Sequence, residues 1–458
     1  MTARVAAVAL ALAAAACTTL ALQPVSTAES PDEAAPATAG WSPRRLPQPV
    51  VDGVAQLRLQ SDVAGSLGDV ESCLVVDGPP GRLVDIAGAT ALIPASTIKI
   101  LTAIGALLVL PQDFRFVTEV RADGTVDGGS VDRLVLVGGG DPLLGTPEWI
   151  AARAVDPDTA GTAVTPLVAL VDALVDRGVR DISGGVVGVA PRWSIEPAYL
   201  QSWPTSYRTN AIGPVVSLTV DGGFRAGQPA SAPPLLAAEE LTRLLRERGV
   251  TVGEPTVGER VPDGPVLASV ESVALPEVLA EMLAVSDNLA AEVIVREIAA
   301  AAGGSSTADG VAVIREQLSA LGLPVDGLLQ VDGSGLSREN RVPCALLIEA
   351  LERTARADLA PVRAGLAVAG ERGTLAERLG GTALAGALTA KTGTLPGVSG
   401  LAGFLEVGPP LRFALLANGD FGEAGALPLR ERVVETIARY PDAPPADALV
   451  PVPATASP

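Results

Sequence analysis

Ser96 and Lys99 stand three residues apart in Pro94-Ala95-Ser96-Thr97-Ile98-Lys99, at the head of an apolar run that reaches Leu110. No Gly or Pro falls between Ser96 and Gly105, which predicts a helix over 96–110 buried on all faces. Pro94 and the small residues after it suit a helix start. On such a helix Lys99 lies beneath Ser96. It is the only charge in the run, and burying an ammonium lowers its pKa until the neutral amine becomes accessible. A hydroxyl at the positive end of a helix with a base one turn away is the making of a nucleophile. The competing reading is a capping serine and a lysine whose head reaches water. By chance alone, on the order of one Ser-x-x-Lys is expected in an average chain of this size. Lysine usage separates the readings. Among 33 basic residues only Lys99 and Lys391 are lysines. Arginine cannot shed its proton, so it could not act as a base at position 99.

Composition narrows the chemistry further. The chain has 458 residues and no histidine, which excludes a Ser-His-Asp triad and most zinc sites. Three cysteines cannot build a Cys₄ centre, and neither metal nor organic cofactor is implied. A net charge of −19 and 3% aromatic residues argue against nucleic acid as a partner. The length allows two or three domains, and nothing in the sequence sets the oligomeric state.

Residues 1–28 read as an export signal: Arg4, an apolar stretch from Val5 to Ala16, and Ser26-Thr27-Ala28 as a cleavage site. An uncleaved anchor or a lipid on Cys17 are the alternatives. The chain is therefore expected at the cell envelope, secreted or anchored at its N-terminus. In that oxidising setting Cys73 and Cys344 are free to form a disulfide, or to remain as buried thiols. Residues 29–49 resemble a flexible linker and 441–458 a disordered tail. Strands are expected over 72–77, 116–121, 133–137, 182–189 and 266–273, with helices over 166–177, 239–248, 290–302, 344–356 and 430–439. Segments 387–392, 398–407 and 411–417 read as antiparallel neighbours. Gly138-Gly139-Gly140-Asp141-Pro142 follows a strand, but without a lysine it reads as a glycine turn rather than a phosphate loop.

Three elements stand in chain order: Ser96-x-x-Lys99, Ser286-Asp287-Asn288 and Lys391-Thr392-Gly393. Together they make the active-site set of serine acyl-transfer enzymes. Acyl transfer needs a nucleophile, a proton shuttle, an oxyanion hole and a grip on the substrate. Ser96 would attack, with neutral Lys99 taking its proton. Ser286 would relay that proton to the leaving amine, and Asn288 would hold the substrate amide or Lys99. Lys391, kept charged, would take a terminal carboxylate with the hydroxyls of Thr392 and Thr394. Gly393 would let the substrate backbone lie close to the strand. The backbone N–H groups of Ser96 and Thr394 would form the oxyanion hole.

With Leu218-Thr219-Val220-Asp221, Asp332-Gly333-Ser334-Gly335-Leu336-Ser337, Ala369-Gly370-x-x-Gly373-Thr374-Leu375 and the glycine turn at 138–142, the chain resembles a known family over roughly residues 50–440. It is that of the class C low-molecular-mass penicillin-binding proteins, the D-alanyl-D-alanine carboxypeptidases/endopeptidases. The resemblance implies an α/β (α+β) fold: a penicillin-recognising, serine transpeptidase-like domain, with an antiparallel sheet flanked by helices, split by an inserted β-rich domain. The catalytic domain would comprise 50–115 and 263–440, the insertion 116–262. The resemblance also implies that Asp141 and Arg338 line the outer cleft. Peptidoglycan stem peptides ending in D-Ala-D-Ala would be the substrate and β-lactams covalent inhibitors. The alternatives are a serine β-lactamase or esterase, which lacks support because no Glu-x-x-Leu-Asn segment is present, and a penicillin-binding wall module without turnover.

Overall fold

The computed structural model describes residues 48–79, 81–193 and 196–442; the expected export signal, most of the expected linker and the expected tail beyond 442 lie outside the described residues. Residues 48 and 49, expected in the linker, begin a helix that runs to Leu67.

A six-stranded antiparallel sheet organises the fold. Its order is Ala367–Val368, Leu388–Leu395, Val398–Leu405, Leu411–Asn418, Glu71–Gly78 and Gly81–Ile86. Alternation assigns each strand's residues to two cores. Cys73, Val75, Ala402 and Leu416 face a layer holding Ile100, Ile104, Met282, Ile294 and Leu347. Leu74, Val76, Leu401 and Phe413 face the helices Gln48–Leu67 and Glu423–Ile437 through Leu59, Val63, Val433 and Ile437. Every residue of Val398–Leu405 is buried, as a strand covered on both faces requires. Cys73 and Cys344 are disulfide-bonded, which ties the Glu71–Gly78 strand to the helix Cys344–Arg353.

The helix Lys99–Val109 is the centre of the first layer, buried from Lys99 to Leu107. It packs against Leu275–Ala284, Asn288–Ala301, Thr307–Ala320 and Cys344–Arg353. An all-apolar sequence serves a helix with neighbours on every side. Ser96 is not in this helix: Ala95–Ile98 form a 3₁₀ turn before it, tightened by the left-handed Ala95 (φ 46°).

The chain leaves this layer at Phe114–Phe116 and returns at Ser272–Leu275. The two crossings lie side by side, with Ser272 N donating to Phe116 O at 2.9 Å and Leu275 N to Phe114 O at 3.0 Å. Between them a seven-stranded sheet forms around Val117–Asp127 and Ser130–Val137, closed on one edge by Val266–Glu271. The strand expected over 182–189 is two short ones, Asp181–Ile182 and Val186–Val189, both parallel to Ser130–Val137. Parallel neighbours need crossovers, and helices Val168–Asp176 and Pro233–Glu247 supply apolar cover. The triple glycine is a backbone crossing: Gly138 N donates to Val189 O at 3.0 Å and Gly140 N to Ser217 O at 2.8 Å.

Candidate active site

Lys99 Nζ donates to Ser96 Oγ at 2.9 Å, to Asn288 Oδ1 at 2.7 Å and to Ser334 O at 2.7 Å. These three acceptors match the three protons of an ammonium. The lysine is fully buried, and burial pushes its pKa down to about 8, against a counter-pull from Asp287, Asp332 and Glu292. A group poised there yields a neutral amine at mildly alkaline pH.

Ser286 and Asn288 sit where two helices meet, as their spacing predicted. Ser286 is left-handed (φ 65°), and its hydroxyl makes no hydrogen bond to a described residue. Asp287 caps the following helix by accepting from Ala290 N at 2.9 Å. The Asn288 amide is oriented by its partners: Lys99 can only give and the Ala211 carbonyl, 2.8 Å from Nδ2, can only take. Ala211 comes from the segment between the two crossings, so that segment completes the site.

One turn beyond Asn288, buried Glu292 accepts from Gly333 N at 3.0 Å and Ser334 N at 2.7 Å, fixing the carbonyl that receives Lys99. Its Oε2 has no hydrogen-bond partner among the described residues. Burial first, then the Asp332 charge, pushes its pKa up to about 8. Asp332 is saturated: Trp203 Nε1, Ser337 N, Gly335 N and Asn340 Nδ2 all donate to it within 2.6–2.9 Å. Neither carboxylate was singled out in the sequence as a part of the site, although Glu292 follows Asn288 by four residues, the spacing of one helix face.

Lys391, Thr392, Gly393 and Thr394 lie on the strand Leu388–Leu395, beside the 3₁₀ turn of Ser96. A Cβ on Gly393 would lie 2.7 Å from Pro94 O and 3.1 Å from Thr97 Cγ2. The glycine therefore lets the strand abut the nucleophile turn, a role within the protein itself beside the one expected for substrate. Lys391 is fully buried, with Nζ donating to Thr392 O at 3.0 Å. Its pKa is lowered well below the usual value by burial and then by Lys99 and Arg430. Thr392 Oγ1 meets Thr374 Oγ1 at 2.8 Å, and Thr394 Oγ1 accepts from Arg430 Nη1 at 2.8 Å. Arg338 is exposed and donates to Pro396 O at 2.7 Å, just past this strand. Asp141 is buried instead of lining an open surface: it accepts from Leu143 N at 2.8 Å and burial pushes it up to about 6. No hydrogen bond or ion pair among the described residues joins it to Ser96, Lys99 or Asn288.

The family model of the D-Ala-D-Ala carboxypeptidase 3 (S13) family matches residues 78–228 and 226–440. The chain belongs to that family. The S13 chain is 32% identical over 448 residues to the D-alanyl-D-alanine carboxypeptidase of Actinomadura sp., covering 81% of this chain and 82% of the relative. It is 33% identical over 345 residues to carboxypeptidase DacB of Mycolicibacterium smegmatis, covering 71% of each. Its fold is that of penicillin binding protein 4 from Haemophilus influenzae, at a TM-score of 0.67 and 22% identity over 82% of this chain and 98% of the other. The S13 chain is thus a serine-type DD-peptidase of the penicillin-recognising fold. Among the described residues no helix is long and apolar enough to cross a membrane, and no cluster of metal-ligating side chains forms.

Proposed function

We propose that the chain removes the terminal D-Ala from peptidoglycan stem peptides ending in D-Ala-D-Ala, with a further capacity to open D-Ala cross-links, through an acyl-enzyme at Ser96. The observation that carries this reading is the 2.9 Å contact between Ser96 Oγ and the buried Lys99 amine. Neutral Lys99 takes the Ser96 proton as Oγ bonds to the penultimate D-Ala carbonyl, with the N–H groups of Ser96 and Thr394 facing the oxyanion. The tetrahedral intermediate collapses as the C–N bond breaks. The proton passes from Lys99 by way of the unbonded Ser286 hydroxyl to the departing amine, and water then hydrolyses the ester. Asn288 holds Lys99 in place. Lys391, Thr392 and Thr394 take the carboxylate of the leaving D-Ala, whose charge restores the ammonium form of Lys391. Arg338 acts on the stem-peptide side chain, and the buried Asp141 is given no contact with it.

On this reading residues 50–115 and 263–440 form the catalytic domain and 116–262 an insertion. The protein works in the cell envelope, exported by residues 1–28, and β-lactams acylate Ser96. The test is incubation of the exported protein with labelled penicillin and with a D-Ala-D-Ala peptide. We expect stable labelling and release of D-Ala, both lost in Ser96→Ala. Rapid antibiotic turnover without peptide cleavage points to a lactamase, and labelling without either turnover to a sensing module.

A further inference from the structure

The helix Glu423–Ile437 lies against the sheet face opposite the nucleophile. Its Ala426 carbonyl accepts the Ser399 hydroxyl at 2.7 Å, and Ser399 is the register partner of Thr394. Arg430 follows Ala426 by four residues and so shares its sheet-facing side. Arg430 is 5% exposed, and among the described residues its guanidinium gives one hydrogen bond, to Thr394 Oγ1. No described carboxylate forms an ion pair with Arg430 or with Lys391. Two buried cations thus act on each other across this strand, Arg430 offset by the Glu431 charge alone and neither held in an ion pair with a described carboxylate, an arrangement that a ligand carboxylate would relieve.

The direction of the Arg430–Thr394 bond matters. Arginine has donors only, so Thr394 Oγ1 must accept, and its own hydrogen is left to give to another acceptor. Lys391 is easily neutralised where it sits, whereas burial lowers Arg430 only to about 10, so the arginine is charged at neutral pH whether or not substrate is bound.

We propose that Arg430 is a positioning residue for the terminal carboxylate of the acyl donor: it fixes Thr394 as a hydrogen-bond donor and holds a permanent positive charge behind Lys391. This rests on the reading above, that Lys391 and Thr394 receive that carboxylate.

The experiment compares two acyl donors with the same acyl group, one a peptide with a free C-terminal carboxylate and the other a thioester whose leaving group carries none. Arg430→Gln should lower kcat/KM for the peptide by about 10- to 100-fold, as expected when a charged hydrogen-bonding partner is removed. The thioester should change by less than about twofold on the same principle. Arg430→Lys, which keeps charge and bulk, should fall between wild type and Gln, and it decides the matter if Gln fails to fold. Millimolar guanidinium should restore part of the peptide activity of Arg430→Gln. Equal losses on both donors, or no loss on either, overturn the proposal. If the wild type cleaves neither donor, or Ser96→Ala cleaves both, it is the underlying reading that fails.

Discussion

The two lysines of this chain sit in matched burial and opposite company. Both are fully buried, and burial is the first cause lowering each pKa. Around Lys99 stand Asp287, Asp332 and Glu292, which pull it back to about 8. Around Lys391 stand Lys99 and Arg430, which push it down further. The same side chain is thus set for two tasks by its neighbours. One lysine is arranged to exchange a proton near pH 8. The other is short of an anion, and in the proposed mechanism the substrate supplies it.

The sharpest way to break this contrast is Lys99→Arg. Charge and hydrogen-bonding capacity remain, but the base is lost, so acylation of Ser96 by penicillin should fall by about 10³-fold or more. Stopped-flow labelling checks it, with circular dichroism to show that the fold survives; normal labelling would remove Lys99 from the mechanism. Lys391→Met tests the other end. Here kcat/KM for a carboxylate-terminated peptide should fall by about 10²-fold, with a much smaller loss on the thioester lacking the carboxylate. If both donors suffer equally, the two lysines do not divide the work as proposed. Gly393→Ala attacks the seam between them. Its Cβ would press on Pro94 O, an overpacking that costs about 1–3 kcal/mol of stability, measurable by urea unfolding. Unchanged stability would mean that the strand and the turn do not need to touch.

The parts legible in the sequence are those in which a residue's type already states its task. Ser96, Lys99, Ser286, Asn288 and Lys391 stand out in the sequence because acyl transfer would use those side chains at those spacings, and the sparing use of lysine marks positions 99 and 391. The strands around 398 and 411 were readable from long apolar runs. What stayed hidden depends on three-dimensional closure. Arg430 is one arginine of many, and only the packing of its helix on Ser399 brings it to Thr394. That helix itself begins at Glu423 rather than near 430, with Pro428 inside it. Ala211 contributes a carbonyl, which every residue type has, so nothing marked it. The helices Pro147–Val155 and Thr307–Ala320 were not expected either. Pro147–Val155 buries no residue fully and Thr307–Ala320 is buried at five of its 14 positions, so neither shows a clear apolar period.

Glu292→Gln gives the smallest effect and the most specific one. Gln can keep both backbone bonds, because its Oε1 accepts from Gly333 and Ser334 as the carboxylate does. What changes is charge. The folded-state pKa of Glu292 is raised from 4.5 to about 8, so in wild type its contribution to stability is complete below pH 4.5 and is lost as pH rises towards 8. The variant does not ionise, so its stability relative to wild type should grow across that window and level off above it. Lys99, lowered from 10.5 to about 8, works the other way: its cost to the fold is present below pH 8 and is relieved as pH rises towards 10.5. Activity reports on Lys99 more directly. Since kcat/KM requires the neutral amine, its acidic limb should lie near pH 8 in wild type. Removing the Glu292 charge lowers the Lys99 pKa, so the limb should move to lower pH, by about 0.5 unit on the scale of a partly compensated neighbouring charge. The same substitution should leave the carboxylate preference set by Lys391 unchanged. A limb that stays in place would show that the Glu292 charge does not set the Lys99 pKa, and a carboxylate preference that moves with it would show that Lys391 answers to Glu292 as well.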